Sequence, residues 1–333
     1  MPDRTALKAA FLRTAGWGGA SLAPLAGDAS DRSYDRLRWR GQSAVLMNAP
    51  PGNGDDPKDF IRIAQHLRQI GLSAPAILAQ DLAAGFLLLE DLGDGLIGRL
   101  VAADPALELP LYSLATDVLL HLQMAPAPPA LPDLTADAWA EAAMLAVHWY
   151  RFALTGEKAD PTGLRTALTV LMRTHADGPR VLILRDFHAE NLLALPERLG
   201  LARLGLLDFQ LAQLGQPGYD LVSLLQDARR DVSPEVEQAM IARCAADDAA
   251  AFRLSYATLG TQRALRILGI FARLCLVGGK SGYLPMIPRV WRHLQRNLAT
   301  PGLEQVAALC QALLPEPTDE ALTRIGSQCA RFR

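Results

Sequence analysis

The chain has 333 residues, 50% of them hydrophobic and 20% charged, a balance that excludes intrinsic disorder and a length that suits about two domains. Its 33 basic and 35 acidic residues leave a formal net charge of −2, so no global field draws it to nucleic acid or to an acidic membrane surface. The longest apolar runs, residues 83–89 and 274–277, fall far short of the roughly 20 residues that a membrane span needs.

The opening Met1-Pro2-Asp3-Arg4-Thr5 carries acid early and lacks the apolar core of a signal peptide, so no leader is expected. Residues 1–14 read as an amphipathic helix stopped by Gly16-Trp17-Gly18-Gly19. Three short β-type segments follow at 21–26, 33–39 and 43–48, with turns at 27–29 and 40–42. Pro50-Pro51-Gly52-Asn53-Gly54-Asp55-Asp56-Pro57 is a loop. Phe60, Ile63, Ala64, Leu67 and Ile70 then recur at helical spacing until Gly71. Two apolar strands, 76–79 and 86–89, complete a β-β-β-α-β-β order over 20–90. Beyond residue 94, helical patterns dominate: 106–123, 136–154, 160–174, and most of the chain from Asp220 onward. A β-rich block interrupts them at 181–184, 192–194 and 204–207.

Cys244, Cys275, Cys310 and Cys329 lie far apart and form no CxxC pair. The expectation is four reduced thiols in apolar helices, which suits a cytoplasmic protein. Lysines are few: Lys8, Lys58, Lys158 and Lys280.

The strongest chemical signal is Leu184-Arg185-Asp186-Phe187-His188-Ala189-Glu190-Asn191-Leu192, followed by Leu206-Leu207-Asp208-Phe209-Gln210. Apolar strands flank both clusters. Asp186 can accept a proton from an attacking hydroxyl. Asn191 supplies a neutral oxygen and Asp208 a charged one, the ligand types that suit the Mg²⁺ bridging ATP phosphates. Taken singly, each of these residues could merely cap a loop. The three in order between apolar strands point to phosphoryl transfer.

On these residues the chain resembles the protein-kinase-like superfamily in its aminoglycoside phosphotransferase branch. Leu184 stands where the branch motif usually has His, and Gln210 replaces the glycine of a D-F-G. Asp220, in Gly218-Tyr219-Asp220-Leu221, is similar to the branch's structural Asp that ties the catalytic loop. Gly27-Asp28-Ala29-Ser30, Met47-Asn48-Ala49-Pro50-Pro51, Leu89-Glu90-Asp91-Leu92-Gly93 and Tyr219-Asp220-Leu221-Val222-Ser223-Leu224-Leu225-Gln226-Asp227 resemble more closely the bacterial anomeric N-acetylmuramate/N-acetylglucosamine kinase group. So does Leu268-Gly269-Ile270-Phe271-Ala272-Arg273-Leu274.

The resemblance implies an α+β, two-lobed, protein-kinase-like fold. A small β-rich nucleotide-binding lobe would occupy residues 1–90, with a hinge near 90–93. A larger helical lobe, residues 94–333, would carry the catalytic loop and substrate site. The implied activity is transfer of the γ-phosphoryl group of ATP, with Mg²⁺, to the anomeric C1 hydroxyl of an acetylated amino sugar during cell-wall recycling. An aminoglycoside or other small-alcohol kinase is one alternative, and a catalytically silent kinase-like binding protein is another. No nucleic acid, membrane or obligate protein partner is implied.

The backbone of Glu90 and Leu92 would face adenine. The strand lysine that should reach the phosphates is replaced by Met47. Arg32 is therefore the candidate cation, and Ser30 either donates to a phosphate or bonds its own turn. His188 would contact sugar or phosphate, or pack the loop. Arg229, Arg230 and Arg263 are candidates for an anionic substrate group, against the alternative of exposed helical charge.

Overall fold

The computed structural model describes residues 3–25, 32–52, 56–245 and 248–332. It divides into two compact units: Met1–Leu107 with Ala189–Ala212, and Glu108–His188 with Gln213–Arg333. The first unit takes in residues 94–107 and the polar block around Asn191 and Asp208 along with the β-rich N-terminal region.

In the first unit, α1 (Arg4–Thr14) is capped by the Asp3 carboxylate, which accepts from the Thr5 N–H at 2.9 Å. Five antiparallel strands follow: β1 (Ser21–Leu25), β2 (Ser33–Trp39), β3 (Gln42–Asn48), β4 (Ile77–Asp81) and β5 (Phe86–Glu90). Their order in the sheet is β1-β2-β3-β5-β4. β5 pairs on both sides, and its four apolar residues are all buried. Side chains alternate across a strand. Phe86 and Leu88 therefore join Phe11, Leu12, Leu37, Ala44 and Leu46 in one core, with Phe11 stacked on Phe86, while Leu87 and Leu89 face the other way.

α2 (Pro57–Gln69) starts at Asp56, whose side chain accepts from the Lys58 N–H, with Pro57 in the first turn. Its buried residues are the expected Phe60, Ile63, Ala64 and Leu67. It ends where Gly71 takes φ +83° and Leu72 N–H returns to Leu67 C=O at 2.9 Å, a left-handed stop that favours glycine. The short α3 (Ile97–Ala103) was not anticipated; Gly93, Gly95 and Gly98 blur its pattern.

Strand β6 (Val181–Ile183) belongs to the second unit. The hairpin β7 (Leu192–Ala194) and β8 (Leu204–Leu206) belongs to the first. β8 is held there by a bridge between Ser73 and Gly205 and by the Leu206 N–H to Ser73 C=O bond of 2.8 Å.

The second unit is helical apart from β6 and its antiparallel partner β9 (Gln213–Gly215). Its helices are α4 (Glu108–Met124), α5 (Ala136–Ala143), α6 (Phe152–Thr155), α7 (Thr162–His175), α8 (Tyr219–Leu225), α9 (Pro234–Cys244), α10 (Ala249–Leu276), α11 (Ile287–Leu298), α12 (Glu304–Leu313) and α13 (Asp319–Gly326). The helix expected over 136–154 breaks into α5, a π-helical turn at Ala146–Arg151, and α6. A Cβ on Gly269 of α10 would lie 2.2 Å from the Leu145 backbone, so only glycine admits this close approach beside the π-turn. α10 packs against α5, α7 and α11 and forms the spine of the unit.

The expectation of four reduced thiols is corrected. Cys275 of α10 and Cys329, beyond α13, form a disulfide, while Cys244 and Cys310 are free. A separation of 54 residues leaves no spacing signal in the sequence. The Ala330 N–H to Cys275 C=O and Phe332 N–H to Leu276 C=O bonds hold the same tail. Among the described residues, no helix is long and apolar enough to cross a membrane.

Candidate active site

In the second unit, the loop after β6 is shaped by a residue 35 positions away. Asp220, in the first turn of α8, is 1% exposed. Its two oxygens accept from the Leu184 N–H at 2.6 Å and the Arg185 N–H at 2.9 Å. Burial pushes its carboxyl up to about 7, against the opposing pull of those two bonds; the nearby Asp186 charge raises it further.

Arg185 sits at φ +71°, a conformation that costs a non-glycine residue about 1–3 kcal/mol and persists only when neighbours over-determine it. They do. Besides Asp220 on its N–H, the Ser223 hydroxyl donates to its C=O at 3.1 Å. Arg263 in turn donates to the Ser223 hydroxyl at 3.0 Å and to the Gln226 C=O at 3.1 Å. The loop therefore presents a half-buried Asp186, with the His188 N–H donating to the Asp186 C=O. Asp220 tying this loop is the feature the family resemblance anticipated.

His188 is buried, and its Nε2 lies 3.1 Å from the Arg229 guanidinium. Burial first, then the charges of Arg229 and Arg263, hold the imidazole well below its ordinary pKa. A neutral ring facing a guanidinium must accept at Nε2, which leaves its proton on Nδ1.

The three candidate arginines have different surroundings. Arg230 donates to the Tyr112 hydroxyl and pairs with Glu108 at 3.0 Å. Arg263 is buried and engaged as above. Arg229 is partly exposed. Asp227, buried beside them, accepts from the Arg229 N–H at 2.9 Å.

In the first unit, Asn191 precedes β7 and Asp208 follows β8, so the hairpin brings them together. Leu207 N–H closes on Asn191 C=O at 2.9 Å, and Asn191 Nδ2 lies 3.5 Å from Asp208 Oδ2. Asp208 takes φ +55°, a left-handed turn that Asp tolerates better than most residues. Its neighbour Phe209 is stacked on Phe60 of α2 at 4.9 Å. Gln210, which sequence reasoning treated only as a missing glycine, donates to Asp208 Oδ1 at 2.6 Å.

The Asp208 carboxylate lies against the amide nitrogens of Asn191 and Gln210; its oxygens and the Asn191 amide oxygen are hard donors of the kind that a divalent cation takes. Among the described residues, no group of three His, Cys, Asp or Glu could hold a metal. Two protein oxygens completed by phosphates and water are the usual holding of Mg²⁺ in nucleotide sites.

Glu90 closes β5, and its N–H donates to the Ala76 C=O at 2.8 Å. The segment beyond it is gripped by Arg36 of β2, which pairs with Asp91 at 2.9 Å and Asp94 at 2.8 Å and donates to the Gly93 C=O. Leu92 reaches the hairpin: a Cβ on Gly205 would lie 3.2 Å from its side chain. Met47 is 0% exposed, in register with Tyr34 and Leu87, and serves as core. Arg32 is 6% exposed, just ahead of β2. Ser30 lies outside the described residues.

Residues 21–253 match the family model described as the phosphotransferase enzyme family. The chain belongs to that family. It is 40% identical to the N-acetylmuramate/N-acetylglucosamine kinase of Caulobacter vibrioides, over 95% of this chain and 98% of that protein. It is 33% identical to the protein of the same name from Pseudomonas aeruginosa, over 90% and 91%. Among solved structures it is similar to a choline/ethanolamine kinase family protein from Mesorhizobium loti, with TM-score 0.62, 15% identity and coverage of 98% and 100%. It is also similar to the GDP complex of aminoglycoside 2′-phosphotransferase-IIIa, with TM-score 0.60, 16% identity and coverage of 89% and 99%. These likenesses show that this phosphotransferase shares its mixed α+β fold with those two proteins.

Proposed function

We propose that this phosphotransferase moves the γ-phosphoryl group of ATP to the anomeric C1 hydroxyl of N-acetylmuramate or N-acetylglucosamine. The observation that carries the reading is the Asp220-held loop that presents Asp186. The names of relatives sharing up to 40% identity over nearly the whole chain support the acceptor.

Asp186 takes the acceptor proton as bonding to phosphorus develops. An anomeric hydroxyl is more acidic than an ordinary alcohol, because the ring oxygen withdraws charge from C1. One carboxylate therefore suffices, and positioning does the rest. Asn191 and Asp208 would hold Mg²⁺, which neutralises phosphate charge when bound. The Glu90–Leu92 backbone would meet the base. Arg32, with Ser30, would serve the phosphates in place of the lysine missing at Met47. His188, fixed as its Nδ1–H tautomer, and Arg229 would face the sugar, and Arg229 is the partner for a lactyl carboxylate. Arg230 and Arg263 hold Glu108 and the catalytic loop instead. The 1–90 and 94–333 division into nucleotide and substrate lobes, and a cytoplasmic location where ATP is made, belong to the same reading.

Phosphorus NMR with MgATP and a panel of acetylated sugars, amino sugars and aminoglycosides tests it. The expected product is a sugar 1-phosphate from the acetylated hexosamines. A C6 phosphate, or efficient turnover of an aminoglycoside, would overturn the acceptor. No turnover with any of them by folded protein would favour the silent binder.

A further inference from the structure

Arg198 lies in the loop between β7 and β8, 108 residues from Glu90, yet the two side chains form an ion pair. The second Arg198 nitrogen donates to the Ser73 hydroxyl at 2.6 Å, and that hydroxyl donates to the Ala202 C=O at 2.6 Å. The other Glu90 oxygen accepts from the Ala76 N–H at 3.1 Å and from Arg68 at 3.4 Å. Every one of these partners lies in the first unit.

The pair closes one end of a longer seam. At the other end, Ala194 N–H donates to Gly95 C=O at 2.8 Å, and Leu96 bridges Leu193. A Cβ on Gly95 would lie 2.8 Å from the Ala194 carbonyl oxygen, so the backbones touch. Segment 90–96 is thus laced to the hairpin whose two ends carry Asn191 and Asp208.

The geometry points to Arg198 as a positioning residue for the Mg²⁺–nucleotide site: by gripping Glu90 and Ser73, it holds the Asn191–Asp208 hairpin in register with the strand end that meets the base. This inference rests on the proposed kinase reading and adds a residue that the reading does not use. The geometry also separates positioning from bulk stability. The Arg198 and Glu90 side chains are 29% and 30% exposed, and pairs this open contribute little to global folding. A register held at both ends of a metal–nucleotide site is instead felt in how base and metal bind together.

The test is calorimetric titration of full-length protein with ADP, with Mg²⁺ and with EDTA, alongside thermal melts and the sugar KM. In wild type, Mg²⁺ is expected to tighten ADP binding. Arg198→Ala is expected to weaken Mg·ADP about five-fold or more, within the span of coupled contacts, and to shrink the ratio between the EDTA and Mg²⁺ constants. The sugar KM should stay within about two-fold and the melting temperature should hold. Glu90→Gln, which keeps size and the Ala76 bond, should reproduce the loss, and the double variant should be no worse than either single one. Arg198→Lys should recover part of the affinity.

Wild-type Mg·ADP affinity in both single variants overturns the proposal and leaves the kinase reading intact. An equal rise in the sugar KM overturns it in favour of general loosening. Wild-type protein that binds no nucleotide overturns the kinase reading, and the proposal with it.

Discussion

Replacing Asp220 by Asn separates the stability of this protein from its activity. Asn keeps the size but can accept only one of the two N–H bonds that Asp220 takes from Leu184 and Arg185. Its amide nitrogen then faces a backbone donor, at a cost of about 1–3 kcal/mol for the group left unpaired. Against this, the carboxyl is raised from 3.8 to about 7 by burial. A raised carboxyl takes up a proton on folding, so its contribution to stability is full below the unfolded value and fades as pH rises through the folded one. With those two values, wild type loses about 3 kcal/mol between pH 5 and pH 8 that the Asn variant does not lose. Urea melts of both proteins at the two pH values read this as a change in their stability difference, in the variant's favour at pH 8. Turnover should meanwhile fall about 100-fold or more, because Arg185 loses part of its restraint at φ +71° and Asp186 shifts with it. A stability difference that is flat between pH 5 and pH 8 would refute the buried-carboxyl argument. Normal turnover would refute the positioning argument.

Three further outcomes follow from the same geometry. Asp186→Asn should leave Mg·ADP affinity unchanged and cut turnover by about 10²–10⁴-fold, whereas Asp208→Ala should abolish the tightening of ADP by Mg²⁺; calorimetry and a coupled kinase assay read both. Arg229→Ala should raise the KM for N-acetylmuramate about ten-fold, on the scale of a lost charge-assisted hydrogen bond, with N-acetylglucosamine nearly unaffected; an equal rise for both sugars would assign Arg229 to holding His188 alone. Cys329→Ser should lower stability by about 4 kcal/mol on chain-entropy grounds for a 54-residue separation, and denatured wild type should titrate as two thiols rather than four before reduction.

Much of the first unit was legible in the sequence. The β-type segments at 33–39 and 43–48 with the turn between them, and the i, i+3, i+4, i+7 spacing of Phe60, Ile63, Ala64 and Leu67, are local facts, since each depends only on residues close together in the chain. The pairing of Asn191 with Asp208 was readable for the same reason: the short β7–β8 hairpin brings its two ends together in space. The tertiary structure decided what depends on the path of distant segments. Arg230, Arg263 and Arg229 are the same residue type in similar helical or loop settings, yet one pairs with Glu108, one braces Ser223 and one rests on His188. Gln210 looked like a lost glycine until its amide met Asp208. The Cys275–Cys329 bond and the Arg198–Glu90 pair join residues 54 and 108 positions apart. Side-chain pairing over such separations leaves no periodic trace, because it is set by where two whole elements come to rest and by the rotamers their packing allows.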